Sequence, residues 1–191
     1  MASKKVTVGL YVLLALMGAA NLLLLNQNLR MRRSMEAARP ARLAVGDKVP
    51  QFTAAGLDGG QLDVAYTGQG RDRLLFFYTP SCPYSRQQFP DWLDLADRAD
   101  KSKVEVLGLV GDTEDKAKLR EYLQEMGRGR SSGVTFTTAL VPKEIRSTYK
   151  LSETPLTLLI ANDGTVKKVW AGRWDGQALA SVNGALGMTG E

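Results

Sequence analysis

Histidine is missing altogether from the 191 residues, and cysteine occurs once, as Cys82. With no imidazole, Ser-His and Cys-His nucleophile pairs are excluded, and so are most zinc sites. With a single thiol there is no internal disulfide, so no disulfide framework reports the redox compartment. Acidic clusters are also scarce. The local group Asp112, Glu114 and Asp115 has no further carboxylates at ligand spacing, reads as the solvated start of a helix, and no metal is expected. Disorder is excluded in turn, because 44% of the chain is hydrophobic and 24% charged, as in ordinary globular proteins.

The net charge of +5 is unevenly placed. Residues 1–42 carry seven basic side chains against Glu36 alone, which leaves 18 positive and 19 negative residues for the remainder. The basicity belongs to an N-terminal tail rather than to a face of the domain, so nucleic-acid binding is not expected. Within that tail, "VTVGLYVLLALMGAANLLLL" (Val6–Leu25) has 20 residues and no charge. As a helix it would reach about 30 Å, the thickness of the hydrocarbon layer of a bilayer. Residues 1–25 are therefore expected to be one membrane-spanning anchor. A cleaved signal peptide is the alternative, since Gly18 and Ala20 are small enough for signal peptidase, but the apolar run continues beyond them to Leu25. Residues 26–44 read as an Arg-rich juxtamembrane linker and 45–191 as the folded domain. The basic residues on the two sides of the run are too evenly balanced to fix its orientation.

From Leu43 onward, strand and helix patterns alternate. "QFTAAGLDGGQLDV" predicts a hairpin around Asp58-Gly59-Gly60. "RLLFFYT" is a continuous apolar run, as in a strand buried on both faces, and "VEVLGLV" is the next buried strand. "SRQQFPDWLDLADRA" predicts a helix kinked at Pro90, and "TEDKAKLREYLQEMG" an amphipathic helix capped by Thr113. "VTFTTAL" predicts a strand and "PKEIRSTYK" a short helix. "PLTLLIANDGTVKKVWAG" predicts a second hairpin around Asn162-Asp163-Gly164, and a last helix covers about 175–186. The order is that of an α/β sandwich with a mixed sheet. Trp92, Trp170 and Trp174 are expected to be packing residues.

The stretch "FFYTPSCPYSR" puts Cys82 between a buried strand and a helix. Together with "VGDKVPQFTAAGLDGGQLDV", "YKLSETPLTLLIANDGTV" and the N-terminal apolar run, it resembles the thioredoxin-like superfamily. The likeness is to its membrane-anchored branch, which includes the thiol–disulfide oxidoreductases of cytochrome maturation and the methylamine-utilisation disulfide proteins. The resemblance implies a thioredoxin-like fold with an added N-terminal β-hairpin, preceded by one transmembrane helix. It makes Cys82 the nucleophile, with Pro83 and Tyr84 beside it. It also makes Pro155 a cis-proline that, with Thr154, faces the thiol and receives an extended substrate. It implies no cofactor, an extracytoplasmic (periplasmic) domain and, as partners, a thiol- or disulfide-bearing protein or a small thiol.

The physical chemistry of the position agrees, since the unpaired N–H groups of a first helical turn and the helix dipole favour thiolate. Arg86 would either add positive charge there or point to solvent. The departure from the pattern is Ser85, where the resolving cysteine belongs. A hydroxyl cannot release a mixed disulfide, although it can hydrogen-bond a thiolate. Three functions follow. The first is a monothiol oxidoreductase whose mixed disulfides an external thiol resolves. The second is a non-catalytic module that binds a partner in the groove between Cys82 and Pro155. The third is a one-Cys peroxidase, echoed by Thr79 three residues before the cysteine but lacking the proline that its pattern places at Leu75.

Overall fold

The computed structural model describes residues 2–37, 43–68, 70–111 and 115–188. They fall into two units, 1–41 and 42–191. The first is a single helix, α1 (Ala2–Ala37), so the Arg-rich stretch that follows the apolar run is helical as far as Ala37. On α1 the side chains of Val8, Tyr11, Leu13, Leu14, Leu16, Met17 and Leu22–Leu25 are between 55% and 69% exposed. Among the described residues no helix is long and apolar enough to cross a membrane. Within the expected span the side chains of residues 2–7, 10 and 12 lie outside the description.

The second unit is a seven-stranded mixed sheet with helices on its faces. Its strands are β1 (Phe52–Gly56), β2 (Gln61–Val64), β3 (Asp72–Tyr78), β4 (Val104–Val110), β5 (Thr137–Leu140), β6 (Leu156–Ile160) and β7 (Val166–Ala171). They lie in the order β2-β1-β5-β4-β3-β6-β7. Strands β3, β4 and β5 are parallel neighbours, and every other pairing is antiparallel. Both expected hairpins form: β1–β2 across Asp58-Gly59-Gly60 and β6–β7 across Asn162-Asp163-Gly164. In the second, Gly164 has φ +84°, and a Cβ there would lie 2.9 Å from the Val49 carbonyl oxygen. Glycine is required on both counts.

The largely apolar sequences of β3 and β4 have a direct structural reason. Leu74, Phe76 and Tyr78 point to one core, while Leu75 and Phe77 point to the other. The first core lies under α2 (Pro83–Arg98), α3 (Lys116–Met126) and α5 (Gly176–Ala185), with Phe89, Trp92, Leu119 and Val182 buried in it. The second takes Ile145 of α4 (Lys143–Thr148) and residues of the N-terminal hairpin. All three tryptophans are core residues, at most 8% exposed.

Three details depart from the sequence pattern. Helix α2 runs unbroken through Pro90. Helix α3 is capped by Asp115, whose carboxylate accepts from the N–H groups of Ala117 and Lys118. An Asx cap placed directly before Lys116 fixes the start of the helix; Thr113, Asp112 and Glu114 lie outside the described residues. Strand β5 keeps only Thr137–Leu140 of the expected run, because β4 pairs with it over those four residues alone and β1 reaches only Ala139 and Leu140.

Candidate functional site

Sheet register assembles the site. In the antiparallel β3–β6 pair, Phe77 lies opposite Leu156. The residues that leave β3 therefore meet those about to enter β6, and Thr79–Cys82 comes to face Thr154-Pro155. The Thr154–Pro155 bond is cis. Cys82 occupies the N-cap of α2 with φ −80° and ψ 117°, and Pro83 follows in the first turn. Proline fits there because its missing N–H would have had no helical partner. The chain enters α2 through a turn in which the Cys82 N–H donates to the Thr79 carbonyl at 3.1 Å.

The Cys82 sulfur is partly exposed, and its thiol donates to the Thr154 carbonyl oxygen at 3.4 Å. Five things act on its acidity. Partial burial pushes the thiol up. The Thr154 hydroxyl, the backbone N–H and the hydroxyl of Ser85, and the backbone N–H of Tyr84 pull it down and prevail, so Cys82 lies below the ordinary thiol range. The two N–H groups belong to the second and third residues of α2, the usual donors to an N-cap. In the thiol form Cys82 makes no capping hydrogen bond, so these donors act on the ionised sulfur. The bond to the Thr154 carbonyl works the other way, because only the protonated sulfur can make it.

Ser85 is fully buried, and its Oγ has no hydrogen-bond partner among the described residues while Cys82 is protonated. A buried hydroxyl without a partner is costly. Ionisation of the neighbouring sulfur supplies an acceptor, which is the physical content of the serine's effect on the thiol. Tyr84 is 60% exposed beside the cysteine, while Thr79 Oγ1 and Thr154 Oγ1 stand 3.4 Å apart. All six residues expected at the site (Cys82, Pro83, Tyr84, Ser85, Thr154 and Pro155) thus belong to one end of the sheet.

Arg86 does not act as a free cation at the thiol. Its guanidinium pairs with Glu125 of α3 at 2.6 Å and lies 5.1 Å above the ring of Tyr122. Tyr122 is the residue that sequence reasoning missed. Its hydroxyl is buried without a partner among the described residues. Burial pushes its pKa well above the ordinary phenol range, and the negative charge of the Cys82 thiolate adds to that shift. Nothing in the sequence marks it, since α3 lies about 40 residues from the thiol and Tyr122 reads as one more apolar position on an amphipathic helix. Among the described residues no group of three or more metal-ligating side chains occurs.

With this geometry in place, comparison with known proteins adds the following. Residues 45–169 match the model of the family described as AhpC/TSA. No curated protein matches. Solved structures with the same fold include the thioredoxin domain of a thiol-disulfide oxidoreductase from Bacteroides vulgatus. It is 17% identical, with 75% of this chain and 99% of that one covered and a TM-score of 0.60. A secreted disulfide oxidoreductase of Mycobacterium tuberculosis is 21% identical, with 73% and 96% covered and a TM-score of 0.57. StoA from Bacillus subtilis is 18% identical, with 71% and 98% covered and a TM-score of 0.55.

Proposed function

For a chain that belongs to the AhpC/TSA family and has the thioredoxin-like fold of the thiol-disulfide oxidoreductases, we propose a monothiol oxidoreductase. Cys82 attacks disulfides, or accepts them, and an external thiol resolves the mixed disulfide. The observation that carries this reading is the environment of the sulfur. A partly exposed thiol sits on a helix N-terminus with its pKa lowered, and the one buried hydroxyl beside it is left for the thiolate to use. In the exchange, the Cys82 thiolate forms a new S–S bond with one substrate sulfur as the substrate's own S–S bond breaks. The other sulfur leaves as thiolate with the electron pair. A second thiolate then attacks at the substrate sulfur and returns Cys82 as thiolate. Ser85 stabilises the charged form and takes no part in resolution.

Iodoacetamide alkylation followed against pH tests this. The rate rises through the folded-state pKa and then levels off, so a lowered pKa places the midpoint below the ordinary thiol value of about 8.5. Ser85→Ala removes one stabilising donor and is expected to move the midpoint upward. A wild-type midpoint at or above the ordinary value, unchanged by Ser85→Ala, sinks the reading in favour of a fold that binds partners without chemistry. The peroxidase reading is disfavoured by Leu75. That residue is fully buried in the middle of β3, paired with both Leu107 and Leu158, where a proline would break the ladder.

The tether and its side of the membrane belong to the same proposal. Helix α1 is 36 residues long and carries exposed apolar side chains from Val8 to Leu25, and the M. tuberculosis neighbour is described as secreted. These features support our proposal that the domain lies outside the cytoplasmic membrane with α1 as its anchor. Because Cys82 is the only cysteine, it reports its own location. In intact cells a membrane-impermeant maleimide is expected to label it, and the protein is expected to stay with the membranes after an alkaline carbonate wash. Labelling only after lysis would put the domain on the other side.

A further inference from the structure

A cleft of about 290 Å³ opens beside the thiol. Thr79 and Thr154 line it and are also neighbours of Cys82, so a molecule held there reaches the sulfur. Its far wall comes from elsewhere in the chain: Phe77 from β3, Gly111 just past β4, and Arg146 from α4. Gly111 is the residue that lets this wall form. A Cβ there would lie 2.5 Å from the Phe77 ring and 3.7 Å from Cδ of Arg146, so no larger side chain fits without displacing the ring.

Arg146 is half-buried in this wall. The arginines Arg71, Arg73, Arg86 and Arg130 each have a carboxylate within salt-bridge distance, whereas among the described residues nothing pairs with the Arg146 guanidinium. Glu153 is the other charged residue of the lining, and it has an interaction of its own. A guanidinium partly withdrawn from water with no counter-ion is unfavourable unless something anionic completes it. Its planar fork of donors suits a carboxylate.

We infer that this cleft is an anion subsite in which Arg146 binds a carboxylate of the disulfide that Cys82 attacks, so that the substrate class is an acidic disulfide with its carboxylate a few bonds from the sulfur. This rests on the thiol-exchange reading above and narrows it. Arg146 acts as a specificity-determining residue and stays clear of the reacting sulfurs. The bonds made and broken are those already given: one S–S bond exchanged for another, with the distal sulfur leaving as thiolate.

The test uses the full chain and two aliphatic disulfides, dithiodipropionate, which carries carboxylates, and dithiodiethanol, which is neutral. Mixed-disulfide formation at Cys82 is followed by mass spectrometry. The ratio of the two rates is expected to fall roughly tenfold in Arg146→Gln, to be partly retained in Arg146→Lys, and to decline with salt in the wild type. The neutral reagent controls for folding and for the thiol itself. If it reacts no faster than an ordinary thiol would, the activated-thiol reading fails, while the ratio still reports on Arg146. A ratio equal in wild type and Arg146→Gln overturns the subsite. Oxidised glutathione and a peptide disulfide with aspartate next to its cysteine separate the two sources of such a carboxylate: the one whose reaction saturates, and loses saturation in Arg146→Gln, is the one the cleft accepts.

Discussion

Replacing Ser85 by cysteine is expected to turn a protein that holds mixed disulfides into one that releases them. In the wild type the neighbour of the Cys82 sulfur is a fully buried hydroxyl with no partner of its own among the described residues, and it cannot attack a disulfide. Serine and cysteine differ by one atom, so the substituted side chain occupies the same pocket on α2 and faces the same sulfur. Its thiolate would attack Cys82 within the molecule rather than in a bimolecular encounter. Well-placed intramolecular groups act as if present at enormous concentration, and the lifetime of the mixed disulfide should shorten by roughly a thousandfold or more. The measurement traps Cys82 with a small disulfide, removes the excess, and follows release by mass spectrometry with no external thiol. Wild type should stay trapped, while Ser85→Cys should release its adduct and accumulate a disulfide between positions 82 and 85. Should the variant stay trapped as long as the wild type, the groove is not built for exchange, and a partner-binding module becomes the better reading. Retained partner binding by Cys82→Ala would then be the next observation to make.

Much of this arrangement is written in the sequence, and the reason is locality. Hairpin turns such as Asn162-Asp163-Gly164 depend on a glycine with positive φ and can be read from three residues. The two central strands are legible because each contributes to both cores and so is apolar over most of its length, with charges only near its start. Cys82, Pro83 and Ser85 share one helical turn, and Thr154-Pro155 is recognisable by its resemblance to a known segment, so the two halves of the site can be expected to meet. Tyr122 and Arg146 could not be found that way. They come from α3 and α4 to the surroundings of the thiol, and the parallel arrangement of β3, β4 and β5 brings those elements to the same end of the sheet. The sequence leaves Arg86 open between the thiol and solvent. Its position in the sequence invites a role at the thiol, yet a carboxylate and an aromatic ring on α3 hold it.

Trp92 links the stability of the domain to the acidity of the thiol, and its removal is expected to lower both. It is fully buried on α2, stacked on Phe76 of β3 with ring centroids 4.9 Å apart, and its Nε1 donates to Thr157 Oγ1 at 3.1 Å. Thr157 lies two residues beyond Pro155, so this one side chain clamps the helix that carries Cys82 to the strand that follows Thr154. Trp92→Ala leaves a cavity between them and should cost about 3–5 kcal/mol, a large part of the stability of a domain this size. It should appear as a lower midpoint in urea with an unchanged slope. Trp92→Phe keeps most of the packing and strands the Thr157 hydroxyl, for about 1–3 kcal/mol. The consequence for the site has a definite sign. The Thr154 hydroxyl is one of the groups that hold the Cys82 thiol down, and a helix loosened from β6 holds its sulfur less firmly against that residue. In folded Trp92→Ala, the alkylation midpoint of Cys82 should therefore move up towards the ordinary thiol value. An unmoved midpoint beside a large loss of stability would mean that the turn from Thr79 to Cys82 positions the sulfur without help from the clamp.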